Sequence, residues 1–191
     1  MTFPTEITAT HFAQIMVSRE PVPVASSRTE AGLKALFTGI TSTGEYVTIE
    51  HVRDLPAIGT PPSLVNVPEY GLAQSLKVGV QADAPDLELT LNFVATQWKK
   101  AGATFATTGT LGDLKDEGTP VVFQLVLAGA KPASYNCTAA GLGTVPNILF
   151  YWVGRIEAYS VQAARDDAAT ATVSLSLLSD FYGPFTIDPA E

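Results

Sequence analysis

The chain has 191 residues, a formal net charge of −8, 46% hydrophobic residues and only 16% charged ones. That length suffices for a domain with a sizeable core. The acidic balance, with no basic run longer than Lys99-Lys100, excludes bulk electrostatic attraction to nucleic acid or to an anionic membrane.

In chain order, residues 1–40 are the least regular. Ala13-Gln14-Ile15-Met16-Val17 fits a short strand, Pro21-Val22-Pro23-Val24 an extended connector, and 29–37 a helical turn that Gly32 weakens. Together they suggest an N-terminal arm with the first elements, followed by a single β domain over 41–191. Residues 44–52 alternate as one strand. The following segment contains Pro56, Gly59, Pro61, Pro62 and Pro68, and 54–75 is expected as a long loop. Strands are predicted at 76–81 and, through the alternation Leu87-Glu88-Leu89-Thr90-Leu91-Asn92-Phe93, at 87–93.

Thr110 and Asp113 stand at the two positions of a capping box, and Gly118 with Pro120 supplies a stop, so a short helix is predicted between them. Val121 to Leu127 reads as a buried strand, and 128–146 as a second long loop. A long aromatic strand is predicted over 148–161, with Gly154 marking a bulge or a close backbone approach. Residues 169–177 alternate without a fault, and their polar face is entirely Thr and Ser. The fold class is therefore mainly β: an antiparallel β-sandwich or barrel with one short flanking α-helix and long loops.

Catalytic chemistry has little to stand on. His11 and His51 lack any metal-ligand spacing, no GxSxG or phosphate-loop motif occurs, and Gly141-Leu142-Gly143 lacks its third glycine. The carboxylates Asp83, Asp86 and Glu88 fit turn chemistry, and Asp113, Asp116 and Glu117 fit helix-start charge. Trp98, Tyr151 and Trp152 fit core packing better than a ligand platform. The single cysteine, Cys137, rules out an intrachain disulfide. No catalytic, cofactor or metal residue is assigned, and no cofactor is expected. With no apolar run near the ~20 residues of a spanning helix and no leader pattern, the expectation is a protein made in a cytoplasm without membrane insertion.

The order of segments carries more. DAPDLELTLNFV, then LGDLKDEGTPVVFQLVL, ILFYWVGRIEAYSV, RDDAATATVSLSLL and GPFTI run between residues 83 and 187. This series resembles the major tail tube proteins of long-tailed bacteriophages, and the upstream VTIEHVRDLPAIG with its proline-rich loop is also similar. The resemblance implies a non-enzymatic virion protein of the tail, with subunits in hexameric rings stacked into a hollow tube through which genomic DNA passes during ejection. It implies as partners a tape measure protein in the lumen, tail terminator and distal tail proteins, and double-stranded DNA in transient, non-adhesive passage. Segments that order on stacking would be 54–75, with Asp54, Pro61, Pro62 and Tyr70 as candidates, the N-terminal arm and 128–146. The alternating polar faces give Glu88, Thr90, Asn92, Thr170, Thr172, Ser174 and Ser176 as lumen candidates. Two other readings stay open: a tail-terminator or secretion-tube-like ring, and a ligand- or carbohydrate-binding β-sandwich using Trp98 or Trp152.

Overall fold

A computed structural model describes residues 12–38, 46–55, 58–59, 86–132, 137–138, 141–143, 145–163 and 168–187, and the backbone alone of 63–67 and 76–80. The strands are β1 (Phe12–Ser18), β2 (Tyr46–Ile49), β3 (Val52–Asp54), β4 (Ser63–Val67), β5 (Leu76–Val80), β6 (Leu87–Asn92), β7 (Val121–Ala128), β8 (Asn147–Gln162), β9 (Thr170–Leu177) and β10 (Tyr182–Phe185). The helices are α1 (Glu30–Ala35), α2 (Ala95–Trp98) and α3 (Leu111–Glu117). One eight-stranded antiparallel sheet runs β2-β1-β7-β8-β9-β6-β3, with β10 on β8, while β4 and β5 form a separate pair.

The two ends of that sheet are consecutive in sequence. β2 pairs with β1 through Ile15↔Ile49, and β3 pairs with β6 through Val52↔Leu91. Between them His51 adopts φ 58°, and its carbonyl accepts the N–H of Asn92 at 2.9 Å. One bent stretch therefore closes the sheet toward a barrel. Residues 44–52, which alternate as one strand, instead divide into β2 and the start of β3 on either side of this bend. The left-handed residue in their midst is a histidine, which carries no glycine-like signal. On its other side Gln97 replaces a strand: its Nε2 donates to Thr48 O (3.0 Å) and its Oε1 accepts from Glu50 N (3.4 Å).

Two apolar cores lie on opposite faces of the sheet. The first gathers Ile15, Val17, Leu89, Leu91, Phe123, Leu125, Trp152, Val173 and Leu175, with Trp98, Leu111 and Leu114 from the helices closing over it. The second gathers Met16, Val122, Val126, Leu149 and Tyr151 under Leu33 and Phe37, with Cys137 and Leu142 as further cover. Burying each such side chain contributes on the order of 1.5–3 kcal/mol. Inside the second core the Gln124 amide donates to Tyr151 Oη at 2.7 Å and to Cys137 Sγ at 2.5 Å. Burial pushes both the Cys137 thiol and the Tyr151 hydroxyl up from their ordinary ranges.

The capped helix is as expected. Thr110 Oγ1 accepts from Asp113 N, the Asp113 carboxylate accepts from Thr110 N, and Gly118 stops α3 at φ 60°. The structure refines the other expectations. Of residues 1–40, read as an N-terminal arm with the first elements, the strand expected at 13–17 is β1 and lies inside the sheet between β2 and β7. Within 54–75, residues 63–67 form β4 and pair with β5 in register Val65↔Val78. Strand β6 sits between β9 and β3. Gly154 is a close approach rather than the bulge, since a Cβ there would meet Ser176 O at 2.8 Å.

Candidate functional site: the polar face of β6, β8 and β9

In β6 the buried residues are Leu87, Leu89 and Leu91, and in β9 they are Ala171, Val173, Leu175 and Leu177. The period of two therefore puts Glu88, Thr90, Asn92, Thr170, Thr172, Ser174 and Ser176 together on the outer face. Register makes them rows: Glu88↔Ser174, Thr90↔Thr172 and Asn92↔Thr170. The rows continue into β8 as Ser174↔Ala158, Thr172↔Ser160 and Thr170↔Gln162, with Ser176↔Arg155 as a fourth. The seven residues singled out from alternation thus occupy one surface. Sequence reasoning missed β8's share, because aromatic residues dominated the reading of 148–161 and hid the polar alternation of its second half.

A register shift between Ile156 and Ala158 explains that masking. The extra residue leaves Glu157 and Ala158 both on the polar side and returns Tyr159 to the core side. There Tyr159 meets Trp98 at 4.9 Å between ring centroids. Glu157 Oε1 accepts from Arg155 Nε (2.8 Å), Arg155 Nη2 (2.5 Å) and Ser176 Oγ (2.7 Å). The Ser176 hydroxyl first, then Arg155, hold the Glu157 carboxyl below its ordinary range. Arg155 is the one basic residue in these three strands. Over them the face has two carboxylates, Glu88 and Glu157, against one guanidinium; everything else is Thr, Ser, Asn, Gln and Ala.

The four strands β8, β9, β6 and β3 are antiparallel in succession. β7 stops pairing with β8 at Val121↔Gly154, so residues 155–162 have β9 on one side and no described strand on the other. β3 ends the sheet at the opposite side. The result is a four-stranded surface on which, among the described residues, no strand pairs with the outer edge of β3 or of residues 155–162.

Other candidate positions resolve as structure. Trp98, Tyr151 and Trp152 are buried. Asp113 serves the helix cap, Asp116 pairs with Lys100, and Glu117 Oε1 accepts from Phe105 N at 2.7 Å. His51 and Glu50 line a cleft of about 610 Å³ with Gln14 and Lys131. Among the described residues no ion pair or side-chain hydrogen bond involves His51. Asp54 is exposed in β3; Pro61, Pro62 and Tyr70, like His11 and Asp83, lie outside the described residues. No group of three or more metal-ligand side chains occurs among the described residues.

The fold is similar to that of chains in two solved tail assemblies. A chain of the SPP1 tail tube matches with TM-score 0.50 and 12% identity, over 93% of this chain and 78% of that one. A chain from the baseplate of the anti-feeding prophage matches with TM-score 0.50 and 12% identity, over 95% and 96%. No protein-family model and no curated protein sequence matches. At such identity the likeness is one of fold.

Proposed function

We propose that the chain is a tail tube subunit of a long-tailed bacteriophage, assembling into hexameric rings that stack into a hollow tube for DNA. The observation carrying this reading is the four-stranded sheet whose two outer edges, at β3 and at residues 155–162, have no strand partner among the described residues. Its strands alternate in direction, so β8 and β3 run oppositely. A copy rotated about a common axis can lay its β3 against the free edge of β8 in antiparallel sense. Such contacts are heterologous, close into a ring, and remove two edges that would otherwise invite aggregation. Six-fold closure is favoured by the likeness to a chain of a baseplate averaged with six-fold symmetry.

In the ring, the rows of Glu88, Thr90, Asn92, Thr170, Thr172, Ser174 and Ser176 line the lumen. Their hydroxyls and amides are satisfied by water, and the negative excess keeps phosphates from adhering. The pair β4–β5 with its flanking segment, including Asp54, Pro61, Pro62 and Tyr70, serves contacts between stacked rings. Tape measure, terminator and distal tail proteins are the partners of such a tube, the subunit being made in the host cytoplasm and ending in the virion tail. A carbohydrate-binding reading loses its platform, because both tryptophans are buried.

Negative-stain microscopy of the purified chain, dilute and highly concentrated, tests the proposal. Rings or hollow tubes with a central channel are expected. Compact monomers at every concentration, even with tail initiation proteins added, would reject it.

A further inference from the structure

On β6, β8 and β9 the polar face contains one cation, in its interior, whereas the exposed Arg53 stands beside Asp54 on the border strand β3. Arg155 stands at the end of the Ser176 row, 42% exposed at its side chain, in the middle of the longest strand. A free guanidinium there would offer several N–H donors to a passing phosphate, the geometry that makes arginine the usual phosphate reader. Repeated round a ring, it would form a sticky collar.

Two features act against that. Glu157 is present on this face beside Ala158 because of the one-residue shift after Ile156. Its Oε1 then takes both Arg155 Nε (2.8 Å) and Nη2 (2.5 Å), and Ser176 Oγ fixes the same oxygen at 2.7 Å. The guanidinium is turned along its own strand onto the sheet. An exposed pair of this kind adds little to stability, so its geometry calls for another role.

We propose that Glu157, positioned by the β8 bulge and Ser176, is a charge mask that withholds Arg155 from the phosphates of duplex DNA. Arg155 is retained as a partner that anchors Glu157, and the face keeps its excess of one negative charge. This deepens the tail-tube reading and rests on it, because only a lumen surface meets duplex DNA at this face.

The test compares wild type, E157Q, R155Q and the R155Q/E157Q double variant as full chains. Retention of a linear double-stranded DNA fragment is measured at rising salt, on unassembled subunits and on tubes in the same preparations. Wild type, R155Q and the double variant should retain little. E157Q should retain DNA at low salt and release it as salt rises, its log–log slope steeper by about 0.9 for each phosphate met. Thermal melting of E157Q should match wild type, which separates masking from a structural role.

Retention by E157Q equal to wild type overturns the proposal, and so does equal retention by E157Q and the double variant. Wild-type protein that forms neither rings nor tubes overturns the parent reading instead. Retention on the subunit then still reads the masking by itself.

Discussion

Asp113 shows how much one side chain can organise. Its carboxylate accepts from the backbone N–H of Thr110 at 2.8 Å and from those of Ala101 and Gly102 at 3.0 Å each. It therefore closes the cap of α3 and pins the preceding loop to the same point. These donors favour the ionised form, Thr110 N–H most, and lower its pKa to about 2 from 3.8. The folded value is depressed, so the associated stability is fully present above pH 4 or so. It is lost as pH falls through about 2. Asp113→Asn should lower the melting temperature at pH 7 by several degrees. The gap from wild type should narrow as pH falls between these two values. Thermal melts of both proteins across that range check this; a gap that stays constant down to pH 2 would show the charge to be irrelevant.

At the scale of elements, legibility followed burial. β6 and β9 show a clean period of two because one face is core and the other polar, and α3 announces itself through Thr110, Asp113 and Gly118. β1 is legible as a short, mostly apolar run at 13–17, but its central place in the sheet is not, because both of its faces are covered: Ile15 and Val17 enter one core and Met16 the other. A strand buried on both faces has no alternation to read. The bend at His51 lacks any residue that demands it, and pairing between distant strands, which decides what is an edge, has no local signal.

The candidate surface was half visible for the same reason: β6 and β9 supplied their rows, while the shift at 156–158 broke the period in β8. That half of β8 is also where an element-level prediction lies. Successive N–H groups in a strand point to opposite sides, so of Ser160 and Val161 one faces β9 and the other the open edge. Of the variants S160P and V161P, one should lose a ladder hydrogen bond and melt well below wild type. The other should melt like wild type yet fail to form rings. Two variants that both fold and both assemble would remove this edge from the interface.

For the whole molecule, the question is where its charge of −8 is put to use. Much of it is spent locally: Asp113 and Glu117 bind backbone, Asp116 binds Lys100, and Glu157 binds Arg155. Glu88 is different. It is exposed, in the middle of the polar rows, and opposite the neutral Ser174. If the face lines the lumen, Glu88 is the carboxylate that sets its field, repeated in each subunit of every ring.

Glu88→Lys would turn that repulsion into attraction without touching either core, so subunit stability should change by less than about 0.5 kcal/mol. Tails of normal length should form, and DNA release should slow, most strongly at low ionic strength. At 0.1 M salt the Debye length is about 10 Å, so only lumen charges within roughly that reach of the duplex act on it, and they act further as salt is lowered. Release kinetics from particles assembled with Glu88→Lys, at two salt concentrations, read this directly. Slower release that recovers at high salt assigns the face to the lumen. Unchanged release from intact tails would place the face on the outside, where a charge reversal never meets DNA.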